Sequence, residues 1–206
     1  MLVEGTSGVG KSTIIDALIR RHVSTAEPRK IRSLIHLAQS HTYGPVAVPE
    51  DDGTLTPAQD VAHLERIVSM MEWLHASVRE HVRPWCFVVI DTLHVTHCVR
   101  PGVVNWLDVE EVDRRLAAID CRLLFVEASP STIWERGVRA RIDDQFIWEY
   151  ARKFGQTPEQ IHSYFVSEQA RLLNLVERSK MRHLVLRSES TLESAAETAF
   201  QFWTAD

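Results

Sequence analysis

The chain has 206 residues, 45% hydrophobic and 25% charged, which suits one domain with a full core. Its formal net charge of −5, with no Lys/Arg cluster to track a polyanion, argues against nucleic acid as a partner. The apolar start is too short and uncharged for a signal peptide, and no run reaches membrane-spanning length. Cys86, Cys98 and Cys121 never form C-x-x-C, so reduced thiols in a cytoplasmic protein are expected.

The first element is a strand, Leu2-Val3-Glu4. Only four residues precede Gly5, so that strand is minimal or the natural start lies upstream. The stretch LVEGTSGVGKST then fits G-x-x-x-x-G-K-[ST] through Gly5, Gly10, Lys11 and Ser12. In this pattern the backbone of Gly5, Thr6, Ser7, Gly8, Val9, Gly10 and Thr13 wraps phosphates. Lys11 reaches the outer phosphates and is expected to face solvent until they arrive, and the Ser12 hydroxyl is a Mg²⁺ ligand. Ile14, Ile15, Leu18 and Ile19 recur at helical spacing, so a helix opens at the loop with its positive end toward an anion. A nucleoside triphosphate is the first expected ligand.

A weak apolar run at 31–37 precedes AQSHTYGP and the acidic turn PEDDG. Thr56-Pro57-Ala58-Gln59 supplies a cap, a first-turn proline and a box-closing Gln for the next helix. The run CFVVI at 86–90 ends at Asp91, where a nucleotide hydrolase or kinase holds its metal directly or through water. Asp108 with Glu111 is expected to open a helix over 109–119. RLLFV at 122–126 leads to Ser129-Pro130 and a helix running into Arg136. Thr157-Pro158-Glu159-Gln160 opens 158–178, HLVL follows at 183–186, and Ser190 with Glu193 opens the last helix. Continuous apolar strands alternating with helices imply a parallel sheet covered on both faces, with ligands beyond the carboxyl ends of the strands.

Arg136, Arg139 and Arg141 in WERGVRAR lie near a polar stretch and suit stabilisation of a transferring phosphoryl group. The other reading is a solvated face paired with Glu135, Asp143 and Asp144. His41 could act as a base near neutral pH. His94 and His97 sit three apart after Asp91 but lack a third ligand for zinc. Glu50, Asp51 and Asp52 offer carboxylates, and Glu4 reads as a supporting residue near Asp91. Trp73, Trp85 and Trp106 read as core.

These residues resemble the P-loop kinases of the thymidylate kinase and deoxynucleoside kinase group. LVEGTSGVGKST resembles their opening strand and loop, LLFVEASPSTIWERGVRAR their fourth strand and lid, and HLVLRSESTLESAAETA their last strand and closing helix. The resemblance implies a single α/β P-loop NTPase domain over 1–206, a three-layer αβα sandwich on a five-stranded parallel sheet, with an arginine-bearing lid at about 136–150. It further implies ATP with Mg²⁺ held by Ser12 and Asp91. Arg136 would stand near the adenine, Arg139 and Arg141 over the phosphates, and Ser188 beside the base. Two motifs depart from the group. Thr92 stands where those kinases carry an acceptor-binding arginine, and Gln39, His41 and Tyr43 stand where they place a carboxylate.

The expected activity is therefore an ATP-dependent kinase for a small hydroxyl compound, nucleoside-like or antibiotic-like. Gln39, His41, Tyr43, Thr92 and His94 are its candidate substrate residues. The alternatives are a nucleotide kinase of the thymidylate kinase type and a non-catalytic ATP-binding switch. The partners implied are ATP and a small acceptor, without nucleic acid or membrane; a homodimer is compatible with this reading.

Overall fold

The computed structural model describes residues 1–24, 33–42, 56–79, 86–100, 104–142, 148–149 and 151–205. Five strands, β1 (Leu2–Glu4), β2 (Ser33–Leu37), β3 (Cys86–Asp91), β4 (Leu123–Glu127) and β5 (His183–Arg187), form one sheet in the order β2-β3-β1-β4-β5. Every pairing is parallel. The apolar runs are continuous because both faces are covered, as side chains alternate faces along a strand. Leu2, Ile90, Leu123 and Phe125 enter one core, while Val3, Val89, Leu124 and Val126 enter the other.

Helices α3 (Pro57–Arg79) and α5 (Trp106–Ala118) cover the first core through Leu64, Val68, Val109, Val112 and Leu116. Helices α1 (Lys11–Ser24) and α8 (Leu192–Thr204) cover the second through Ile14, Ile15, Leu18, Ala195 and Ala199. Helix α7 (Pro158–Arg178) serves both, giving Phe165 to the second core and Leu172 and Val176 to the first. The result is a three-layer α/β sandwich. No helix among the described residues is long and apolar enough to cross a membrane.

Short helices mark the carboxyl ends of the strands: α2 (Gln39–Thr42) after β2, α4 (His94–His97) after β3 and α6 (Pro130–Thr132) after β4. Several starts differ from the sequence expectation. Helix α5 begins at Trp106, because the Asp108 carboxylate reaches back to Asn105 N at 2.9 Å and so closes the box from its third position. The last helix is capped by Thr191, whose Oγ1 accepts from Ser194 N at 3.3 Å, and not by Ser190. After Ser129-Pro130 the chain makes one short α-turn and then a π-turn over Ile133–Val138 and a 3₁₀ turn over Arg139–Arg141. Trp106 is core as expected, whereas Trp73 is exposed and Trp85 lies outside the described residues.

Candidate functional site

The order of the strands sets the site. β1 is flanked by β3 on one side and β4 on the other, so residues after β1 emerge where the chain winds away in both directions. Loop 5–12 occupies that crevice, ahead of a 14-residue helix whose unpaired N-terminal N–H groups favour an anion. Gly5 lies against β4: a Cβ there would stand 2.7 Å from the Val126 carbonyl oxygen. Gly8, at φ +84°, touches the π-turn, and a Cβ there would stand 2.4 Å from Gly137 Cα. The loop and the segment carrying the arginines are thus in backbone contact, made possible by two glycines facing each other.

Lys11 is not solvent-facing. It is buried, and its Nζ donates to the carbonyls of Gly5 at 2.8 Å and Thr6 at 3.1 Å. The loop carbonyls hold the ammonium in the place where phosphate oxygens could replace them. Burial lowers its pKa, Asp91 opposes that, and Arg100 adds to it. Ser12 and Thr13 are exposed at the helix start. Asp91 is nearly buried at the end of β3, with Oδ1 accepting from Thr92 Oγ1 at 3.2 Å and its backbone carbonyl accepting from Thr42 Oγ1 at 2.8 Å. Asp91 and the Ser12 hydroxyl are donor types that Mg²⁺ takes alongside waters and substrate phosphates. No group of three or more His, Cys, Asp or Glu among the described residues could hold a metal alone.

The three arginines separate. Arg141 donates to Ser7 Oγ at 2.7 Å, over the loop. Arg136 reaches toward the Ser188 carbonyl at 3.5 Å and lies beside Gly10. Arg139 turns outward to Glu135 at 3.1 Å, an exposed i,i+4 pair that keeps it off the loop, as the solvated-face reading would have it. Ser188 lines a cavity of about 350 Å³ with Gly8, Gly10, Thr13, Arg136 and Leu192. Its buried Oγ has no hydrogen-bond partner among the described residues.

The candidate substrate residues fare unevenly. His94 is not at a surface: it is fully buried, with Nε2 3.1 Å from Asp113 Oδ1, and His97 likewise pairs with Asp60 at 2.8 Å. Both anchor α4 to the core, which corrects the substrate role expected of His94. Gln39 and His41 lie on α2, where His41 is exposed and 3.4 Å from Ser40 Oγ. Thr92 is buried, and at φ 65° it is a β-branched residue in the left-handed region. Tyr43 and the carboxylates at 50–52 lie outside the described residues.

Sequence reasoning missed a buried set beside the loop. Arg100 Nε donates to Glu168 Oε1 at 3.3 Å, and the same carboxylate accepts from the Thr6 hydroxyl. Both charges act on Lys11. Glu4, which the sequence places near Asp91, also acts on Lys11. Burial pushes the Glu4 pKa up to about 7, against the opposing hydrogen bonds of Thr96 and Leu93. Only the general rule that ligands sit beyond strand ends pointed toward Arg100; nothing in the sequence pattern marks Glu168 on α7.

No protein-family model and no curated protein matches the sequence. Among solved structures, the crystal structure of APE1195 is similar, with a TM-score of 0.55 at 16% identity over 99% of this chain and 93% of that one. The likeness extends over nearly the whole of both chains and is one of fold.

Proposed function

We propose that the protein is a P-loop phosphotransferase that moves the terminal phosphoryl group of ATP to a small hydroxyl compound, nucleoside-like or antibiotic-like. The observation that carries this reading is Lys11 Nζ held inside loop 5–12, with Arg141 on Ser7 above it. Lys11 would bind the outer phosphates, and Arg141 would neutralise charge on the transferring group. Arg136 and Ser188 would face the base in their shared cavity. Mg²⁺, held by Ser12 and Asp91, would supply further charge neutralisation across the phosphates.

In the transfer, the acceptor oxygen attacks the terminal phosphorus and the bond from that phosphorus to the bridging oxygen breaks, releasing ADP. The acceptor proton passes to a base. His41 on α2, an exposed imidazole, would take it.

Arg100 favours a second reading. Thr92 stands in place of the acceptor arginine expected from the resembling kinases, which favours a neutral acceptor. A buried guanidinium within electrostatic reach of Lys11 offers an anionic acceptor the same charge-assisted hydrogen bond from another position. A nucleotide kinase of the thymidylate kinase type is therefore the rival. ADP release is to be measured with monophosphates, nucleosides, sugars and aminated alcohols. Turnover confined to uncharged hydroxyl compounds supports the first reading, and efficient turnover of a monophosphate the second. Hydrolysis indifferent to every acceptor would favour an ATP-driven switch.

Asp91→Asn tests the metal role. The substitution keeps the shape, and the backbone bond to Thr42 is untouched. The Mg²⁺ concentration needed for half-maximal turnover should rise at least about tenfold, with thermal stability little changed. Ordinary Mg²⁺ dependence in an unstable variant would make Asp91 a structural residue.

A further inference from the structure

Glu4 ends β1 immediately before Gly5, and the transfer chemistry above makes no use of it. It is fully buried. Oε1 accepts from Leu93 N at 2.8 Å, and Oε2 accepts from Thr96 Oγ1 at 2.5 Å. Both donors lie just beyond Asp91. Between Asp91 and Leu93 stands Thr92 at φ 65°, and Leu93 follows at φ −148°, ψ −139°. A β-branched residue persists in the left-handed region only where its surroundings hold it there.

The surroundings can be named. Thr92 N donates to the Val3 carbonyl at 2.9 Å, fixing the near side of the turn to β1. Glu4, the next residue of β1, fixes the far side through Leu93 and Thr96. The strained residue is thus gripped from both sides by consecutive residues of one strand. Its hydroxyl is thereby brought to 3.2 Å from Asp91 Oδ1.

We propose that Glu4 is a positioning residue whose carboxylate clamps Leu93 and Thr96, holding Thr92 in a strained turn that aims Asp91 at the phosphate-bound cation. A side chain that merely filled space would need neither two acceptor oxygens nor the strain beside it. Loss of the clamp frees Thr92 to return to negative φ and takes its hydroxyl off Asp91. The inference rests on the phosphotransferase reading for what Asp91 does, but the clamp itself is a property of the unliganded chain.

The test uses Glu4→Gln, which keeps the volume but sets an amide N–H₂ against one of the two donors. The Thr92 ¹³Cα and ¹³Cβ shifts report the sign of φ without any nucleotide, and they should lose their left-handed signature in Glu4→Gln. The Mg²⁺ half-point for ATP-dependent thermal stabilisation should rise about tenfold, and kcat should fall more than KM for ATP changes. Adding Thr92→Gly should recover most of the half-point relative to Thr92→Gly alone, because glycine takes positive φ freely. If Glu4→Gln does not fold, Thr96→Val removes one donor and should shift the same readouts by a smaller factor. Wild-type shifts and Mg²⁺ response in the folded variant would overturn the clamp, as would a loss that glycine leaves unrepaired. A wild-type protein that ATP·Mg²⁺ fails to stabilise would overturn the phosphotransferase reading instead, and the shifts would still decide the clamp.

Discussion

Lys11→Ala is expected to lower turnover at least about a hundredfold and to abolish stabilisation by ATP·Mg²⁺. The ammonium is already seated between the Gly5 and Thr6 carbonyls, so phosphate meets a cation in place and needs no side chain drawn in from solvent. Desolvation makes that charge unusually responsive, since burial already lowers its pKa and an arriving anion relieves the penalty. In the unliganded chain the effects oppose. Alanine strands two carbonyls, at about 1 kcal/mol each, but also removes a buried charge. The unliganded melting temperature should therefore move little. Thermal-shift curves with and without ATP·Mg²⁺ check both statements. Equal stabilisation of variant and wild type would remove the basis of the phosphate site.

Gly8→Ala should be comparably damaging for a steric reason. At φ +84° a side chain is strained by about 1–3 kcal/mol before any contact is counted. The new methyl would then stand 2.4 Å from Gly137 Cα and 2.8 Å from Gly137 N, both backbone atoms with no rotamer to yield. Either the loop leaves its conformation or the π-turn is driven off it, and each outcome separates Arg141 from Ser7. Gly137→Ala is the graded comparison, because its Cβ would meet the Ser7 carbonyl oxygen at 3.1 Å and side chains only at 3.7 Å. Nucleotide affinity and turnover should fall in the order wild type, Gly137→Ala, Gly8→Ala. Wild-type turnover in Gly8→Ala would refute the contact between the loop and the π-turn.

The architecture was legible because its signals are local. Apolar runs bounded by turns gave the strands, and Thr157-Pro158-Glu159-Gln160 gave the start of α7, where Thr157 and Gln160 do close a box. The helix starts at Trp106 and Leu192 slipped because several polar residues stood close enough to compete for one cap. The loop was legible from the spacing of Gly5, Gly10, Lys11 and Ser12. Where Lys11 points was not, since its partners are carbonyls that every residue carries.

Arg139 and Arg141 show a different limit. Two residues apart, they look equivalent in sequence, yet the turns after Ser129-Pro130 send one to Glu135 and the other to Ser7. Nothing in IWERGV announces a π-turn; it is seen only once Gly137 meets Gly8. His94 and His97 were read by their spacing, but what settles them is Asp113 and Asp60, which lie on other helices. Arg100 and Glu168 pair across 68 positions, with their partner Thr6 far from both, and a single sequence carries no sign of such a meeting.

The place of β1 in the sheet bears on how the molecule is made. Leu2 pairs with Ile90 on one side and with Leu123 on the other, so the strand is flanked on both edges only once β4 has been made. Until β4 is made, loop 5–12 lacks the Val126 carbonyl against which Gly5 lies. Loop closure over such separations is slow relative to helix formation. The geometry of loop 5–12 is consequently acquired only after β4 has docked beside β1, later than helix α1 can form.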